Sequence, residues 1–269
     1  MNTIRIAAVI FHSPRNQISQ NLDRMDVWTA AARRSGAAMV CFPELSITGY
    51  GVDRGIREAA EPLSGEVGQR LCNLAKRHQT IILAGLVEKG EDGKIFASHL
   101  VVDPQGPLGV YRKLHIAPPE KNAYDAGEGF RVFEAAGIRF GIQLCYDAHF
   151  PEFSTRMALD GADVIFIPHA SPRGTPEEKR DSWMRHLPAR AFDNGVFVVA
   201  CNQAGDNGAG LTFPGLAMII GPDGRVIATD VGGREALLIA DLEAGRLAAV
   251  HSHPMRYFLP NRRPDIYRS

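Results

Sequence analysis

The stretch Gly141-Ile142-Gln143-Leu144-Cys145-Tyr146-Asp147-Ala148-His149-Phe150-Pro151-Glu152 reads as an apolar strand that stops at a cysteine and turns into a helix. A thiol at such a junction sits at the edge of a core, where a ligand reaches it. The positive end of the helix favours its thiolate. Two other apolar runs end on a charge: 37–43 on Glu44, and Val110-Tyr111-Arg112 on Lys113. Strand alternation sends Arg112 and Lys113 to opposite faces, so one of them points inward. Burial of Glu44 would raise its pKa and make it a usable base. Each residue alone also has a plainer reading: Cys145 as a small buried hydrophobe, Glu44 as a solvated strand end, Arg112-Lys113 as a surface pair. Glu120, after Pro118-Pro119, reads alone as a surface acid. Together, a thiol, a carboxylate and an ammonium at three strand ends suffice for covalent acyl transfer, provided they meet.

Working outward, β-rich runs alternate with helical ones. Strands are predicted at 4–11, 37–42, 80–88, 95–103, 108–113, 131–134, 138–145, 163–168, 196–201, 216–220, 225–229 and 235–241. Helices are predicted at 19–35, 66–78 and 152–160, with a long one at 176–192 kinked at Pro188 and stopped by Asn194-Gly195. This alternation, interspersed with hairpins, gives an α/β class with sheets covered by helices. No linker or repeat divides the sequence, so residues 1–269 are expected to form a single domain. The tail, 253–269, is proline-rich, basic and aromatic without periodicity; it is expected to be an extended arm packed on something, a second subunit among the options. The glycine-rich run Gly205-Asp206-Asn207-Gly208-Ala209-Gly210 reads either as a mobile lid or as an ordinary turn.

The chain has 269 residues, 45% apolar and 22% charged, with Lys plus Arg equal to Asp plus Glu at 30 each. That balance leaves no electrostatic footprint for nucleic acid or an anionic membrane. No apolar run approaches membrane-spanning length. The N-terminus enters a strand directly, which predicts no signal peptide. Cys41, Cys72, Cys145 and Cys201 are widely spaced without a CxxC pair, which argues against a zinc site or a disulfide framework and points to a reducing cytoplasm. Cys41 and Cys72 read as structural, while Cys201, at a strand end, is a candidate cleft residue.

The segments Phe42-Pro43-Glu44-Leu45 to Gly49-Tyr50, Tyr111-Arg112-Lys113-Leu114-His115 with Glu120, and Leu144-Cys145-Tyr146-Asp147 with Phe150-Pro151-Glu152 resemble the nitrilase superfamily of carbon–nitrogen hydrolases. The resemblance runs from the first strand to Asp241. It implies a four-layer α-β-β-α sandwich, a Glu44–Lys113–Cys145 triad with Glu120 as an additional glutamate, an oxyanion site at the Tyr146 backbone N–H, and neither metal nor organic cofactor. It also implies a homodimer or higher homo-oligomer, with the C-terminal arm at the interface. Cys145-Tyr146-Asp147 is more similar to the amidase branches than to true nitrilases. The implied activity is hydrolysis of a small carboxamide, a non-peptide carbon–nitrogen bond, with release of ammonia. N-carbamoyl amide hydrolysis and nitrile hydrolysis are the alternatives within the class, and a catalytically silent ligand- or partner-binding protein is the alternative outside it. A Cys–His hydrolase using His149 or His169 as base is a further option. His149 stands where related amidases frequently carry Arg. Tyr50, Tyr124, His149, His169, Arg173, Trp183 and Asn202 are candidate pocket residues, with Arg173 the candidate for a substrate carboxylate.

Overall fold

A computed structural model describes residues 1–53 and 55–266. The strands are β1 (Ile4–Ile10), β2 (Met39–Cys41), β3 (Ile81–Lys89), β4 (Ile95–Asp103), β5 (Gly106–Arg112), β6 (Phe133–Ala135), β7 (Ile138–Ile142), β8 (Val164–His169), β9 (Phe197–Asn202), β10 (Ala204–Asp206), β11 (Thr212–Pro214), β12 (Ala217–Ile220), β13 (Val226–Asp230) and β14 (Ala236–Leu242). The helices are α1 (Ile18–Arg34), α2 (Gly55–Glu58), α3 (Glu66–His78), α4 (Pro151–Leu159), α5 (Pro176–Met184), α6 (Leu187–Asn194) and α7 (Ala244–His251).

Two six-stranded sheets carry the fold, ordered β14-β1-β2-β3-β4-β5 and β6-β7-β8-β9-β12-β13. Read in those directions, both follow the same pairing sequence: antiparallel, parallel, parallel, antiparallel, antiparallel. The topology is thus duplicated, although the sequence carries no repeat.

Alternation along the strands explains the layers. In β1, Ile4, Ile6, Ala8 and Ile10 face the second sheet and join Phe140, Ile142 and Phe166 in the shared core. Ala7 and Val9 face the other way, onto Leu22 and Met25 of α1 and Leu71 and Leu74 of α3. In α3 the buried Val67, Leu71, Leu74 and Ala75 recur at helical spacing, one apolar stripe for one sheet face. On the second sheet, α4 contributes Phe153 and Met157, and α6 contributes Leu187 and Ala191. The four-layer α-β-β-α sandwich is therefore observed.

Several elements differ from the sequence reading. The long helix expected at 176–192 is two helices, broken at Arg185-His186. Pro188 cannot donate to the Met184 carbonyl, so the chain restarts and places Pro188 in the first turn of α6, where the missing N–H costs nothing. The glycine-rich run ends β10 and forms the turn of the hairpin β10–β11, where the Asn207 side chain donates to Tyr50 O at 3.0 Å. Cys201 lines no cleft; it is fully buried between the sheets. Helices α2 and α7 lie outside the elements expected. In the predicted arm, Tyr257 stacks on His251 at 4.2 Å and Phe258 meets Phe192 at 5.4 Å. The arm's last three residues, 267–269, lie outside the described residues. No helix among the described residues is long and apolar enough to cross a membrane.

The parallel strands of both sheets end at one common edge, and β5, two reversals after β3, ends there too. A bridge from Phe11 to Gln203 ties the sheets together at that edge. Strand carboxyl ends are where such sheets place ligands. The edge is crowded: a Cβ on Gly85 of β3 would lie 2.2 Å from the Leu45 nitrogen and 3.0 Å from the Glu44 carbonyl carbon. Only glycine lets β3 support the turn that carries Glu44. Gly85→Ala is therefore expected to cost about 1–3 kcal/mol, read as a lower thermal midpoint, and to displace Glu44; an unchanged midpoint would contradict this packing.

Candidate active site

Glu44 leaves the end of β2 in a turn whose next residue, Leu45, is left-handed (φ 54°). Lys113 directly follows β5. Both are fully buried, and Lys113 Nζ donates to Glu44 Oε1 at 2.8 Å. The same ammonium donates to both Glu120 oxygens, at 3.1 and 2.8 Å. Glu120 closes the 3₁₀ turn Pro118–Glu120, and its Oε2 also accepts the Ala117 N–H at 3.1 Å. The remaining Glu44 oxygen accepts the Ala170 N–H, just beyond β8, at 2.9 Å. Gln203 Nε2 donates to the Glu44 carbonyl at 2.8 Å. One cation thus sits between two carboxylates in a buried setting.

Cys145 opens a short 3₁₀ helix, Cys145–His149, three residues beyond β7. Its φ of 45° is left-handed, a strained conformation that surrounding structure must enforce. The enforcement is visible. Asp147, fully buried, accepts from Leu144 N at 2.9 Å, Tyr111 Oη at 2.7 Å, His115 N at 2.9 Å and His115 Nδ1 at 2.7 Å. From the other side, Arg190 of α6 donates to the Ala148 carbonyl at 2.8 Å. Tyr146, second in the turn, has an N–H for which so short a helix supplies no acceptor. Sequence reasoning missed Asp147 and Arg190, although an acid two residues after a strained nucleophile-like turn is a readable signal for the first.

Electrostatics distinguish these groups. Burial, and after it the charge of Glu120, pushes the Glu44 carboxyl up to about 7 against the pull of Lys113. Burial opposes the Lys113 charge, but Glu44 and Glu120 outweigh it and hold the ammonium well above its usual range. Burial and the Glu44 charge push the Cys145 thiol up, with Lys113 opposing. Burial thus favours the protonated thiol, against the pull that a helix start exerts towards the thiolate.

The other candidates divide. Tyr50 is buried; burial, then the charges of Glu120 and Glu44, raise its phenol, so it remains a neutral hydroxyl above the cluster. The Tyr124 hydroxyl is committed to Gly51 O at 2.8 Å and forms a wall. His169 stacks on Trp183 at 4.4 Å. Its Nδ1–H donates to Ile167 O at 2.7 Å, and burial holds its pKa well below the usual range. His149 is exposed and stacks on His186 at 4.5 Å. Burial, then Arg190, lowers its pKa. Asn202 is a brace: its amide spans the Ser171 N–H and carbonyl at 2.9 and 3.0 Å. Arg173 is exposed, at a left-handed turn (φ 67°), its N–H donating to Thr212 O at 2.8 Å. The cation that this loop's following helix directs towards Cys145 is Lys179, whose charge acts on the thiol, and which sequence reasoning missed.

Known proteins are similar to this chain in sequence and fold. The family model described as carbon-nitrogen hydrolase matches residues 5–252. A nitrilase of Pyrococcus abyssi is 29% identical, over 98% of this chain and 99% of its own length. An N-carbamoylputrescine amidase of Solanum lycopersicum is 30% identical, over 98% of this chain and 94% of its own length. The amidase of Nesterenkonia sp. AN1, solved as a double mutant in complex with acrylamide, superposes with a TM-score of 0.85 at 25% identity, covering 98% of this chain and 95% of that one. Another structure of that amidase shows the acetamide moiety of fluoroacetamide added to its active-site cysteine.

The hub role of Asp147 has a direct consequence. Asp147→Asn turns an amide NH₂ towards existing donors, with an expected loss of at least about 2 kcal/mol in urea unfolding, whereas Tyr111→Phe, which removes one donor, should lose about 1 kcal/mol. A smaller loss for Asp147→Asn than for Tyr111→Phe would show that the carboxylate is not what holds the turn.

Proposed function

The chain belongs to the carbon–nitrogen hydrolase family, and we propose that it is an amidase cleaving a small carboxamide through a thioester on Cys145. The observation that carries this reading is the sealed Glu44–Lys113–Glu120 cluster with the Cys145 turn tied to the strand that carries Lys113 by the Tyr111–Asp147 hydrogen bond. A ligand-binding protein has no use for a buried base beside a strained cysteine.

Glu44 is the base. Attack on the amide carbonyl forms the S–C bond as the thiol proton passes to Glu44. The proton passes from the thiol to the ionised Glu44 as the negative charge passes to the carbonyl oxygen, so the transfer moves one charge within the site and adds none. The carbonyl electrons move to oxygen, and the oxyanion is met by the Lys113 ammonium and the Tyr146 N–H. Glu44 then returns the proton to nitrogen, the C–N bond breaks and ammonia leaves. Water, deprotonated by Glu44, attacks the thioester and expels the thiol, releasing the carboxylic acid. Glu120 fixes Lys113 through two hydrogen bonds and orients the site. The histidines are poor rivals for the role of base: the Nδ1–H of His169 is committed to a carbonyl, and His149 stands at the rim against His186.

Ammonia release is expected from small amides, in preference to N-carbamoyl compounds and nitriles, with an acyl mass on Cys145 in quenched turnover that is absent from Cys145→Ser. Glu44→Gln should lower turnover about 10²–10⁴-fold. Full turnover in Glu44→Gln together with its loss in His149→Ala would assign the base to the histidine instead.

The pH dependence follows from the raised Glu44. The base works only when ionised, so kcat/KM should rise with pH through a midpoint near 7. Because the Glu120 charge is part of what raises Glu44, Glu120→Gln should move the midpoint of the residual activity down. A midpoint that stays put or moves up would separate Glu120 from the titration.

A further inference from the structure

We infer that Lys179 determines specificity: its ammonium, anchored on the loop whose Ala170 N–H holds Glu44, receives an anionic group of the substrate, so that the preferred amides carry a carboxylate. The inference rests on the amidase reading above and names the substrate class for it.

Lys179 lies on α5, whose start is fixed by Thr175. The Thr175 hydroxyl accepts the Glu178 N–H at 3.2 Å, and the Glu178 carboxylate accepts the Thr175 N–H at 2.9 Å. From there Lys179 Nζ reaches back to Ser171 Oγ at 2.8 Å and Pro172 O at 3.3 Å. Ser171 is the residue after Ala170, whose N–H holds Glu44, and both backbone groups of Ser171 are clamped by Asn202. The ammonium is thereby fixed to the same short segment that positions the base, and its charge is felt at the Cys145 thiol.

The position has an unmet need. An ammonium has three donors, and the two oxygens that Lys179 contacts are neutral. Among the described residues no carboxylate lies within ion-pair distance of it, and the adjacent Glu178 carboxylate is turned to Thr175. The side chain is about half-buried, so water compensates it only in part, and burial lowers its pKa accordingly. The titratable groups that act on it are Glu178, whose carboxylate bonds the Thr175 N–H, and Cys145, with His169 nearby; none of them forms an ion pair with it. A substrate carboxylate supplies the missing counter-ion in a charge-assisted hydrogen bond. The plainer role, tying α5 to the Ser171-Pro172 loop, accounts for the two neutral contacts but not for a half-buried cation held without an ion pair on the loop that positions the base. Arg173, exposed on the same loop, is less suited to the task.

The test compares anionic and neutral reagents of one shape. Alkylation of Cys145 by iodoacetate or by iodoacetamide, in which the sulfur–carbon bond forms as iodide leaves, is followed by peptide mass spectrometry and needs no turnover. Lys179→Met should lower the iodoacetate-to-iodoacetamide rate ratio about tenfold, the size of one hydrogen bond to a charged group. Ser171→Ala, which cuts the tie and keeps the ammonium, should retain most of it. The ratio of kcat/KM for succinamate over butanamide should fall in parallel in Lys179→Met. An unchanged alkylation ratio, an equal slowing with both reagents, or the same loss in Ser171→Ala would overturn the inference. Failure of the wild-type chain to hydrolyse any amide would sink the amidase reading while leaving the alkylation ratio to decide Lys179.

Discussion

The structure depends on one buried ammonium. Lys113 is removed from water and surrounded by Glu44 and Glu120, an arrangement whose desolvation cost is of several kcal/mol per ion. That cost is offset only if the geometry is close to ideal and every remaining lone pair is used. The surrounding fold meets this condition in detail: Ala170 N–H on the second Glu44 oxygen, Ala117 N–H on Glu120, Gln203 on the Glu44 carbonyl. Each of these comes from a different strand end or turn. The cluster can therefore form only where both sheets bring their strand ends to one edge.

The duplicated topology explains how they do so. Each half builds a β-α-β-α-β unit whose parallel strands end at the same side, followed by two antiparallel strands that return the chain. Packing the halves face to face gives one edge with two sets of strand ends. The first half supplies the carboxylate and the ammonium, and the second supplies the thiol and the Ala170 amide. Neither half holds a complete set, so the shared core between the sheets also aligns the reacting groups. Asp147 extends this logic, since its four donors come from both halves and fix the strained cysteine against β5.

The fold and the central residues were legible in the sequence for a physical reason. Apolar runs that end on Glu44, Lys113 and Cys145 mark strand ends, and chemistry at strand ends is one of the few functional placements that local pattern reveals. Sheets covered by helices followed from period-2 and period-3.6 spacing, as β1 and α3 show, whereas the four-layer order came with the family resemblance. What could not be read depends on contacts distant in sequence. The upward push on the thiol's pKa could not be read, because it comes from burial under segments far along the chain and not from the local turn. The 176–192 segment was read as one kinked helix because Pro188 marks a discontinuity without revealing that the chain restarts before it. Lys179, in Glu177-Glu178-Lys179-Arg180, looks like part of a solvated charged face; only the return of α5 over the β8 loop shows that this one charge turns inward. Arg173 drew attention by lying nearer the strand end, yet its left-handed turn leaves it outside.

A neutral thiol beside a carboxyl raised to about 7 has a consequence for how such a site stays selective. A standing thiolate would react with any electrophile that reached it. In the proposed mechanism the thiol gives up its proton to Glu44 as the electrophile arrives, and Lys113 stabilises the oxygen of a correctly placed carbonyl, so turnover is coupled to the placement of the substrate. The same burial that makes the thiol inert at rest strengthens every charge that acts during attack. Selectivity among correctly placed carbonyls must then come from the rim, where the charges are fewer and more exposed than in the cluster. Rim residues there can change without disturbing the buried cation, because the Glu44–Lys113–Glu120 cluster is satisfied by the backbone and by its own members.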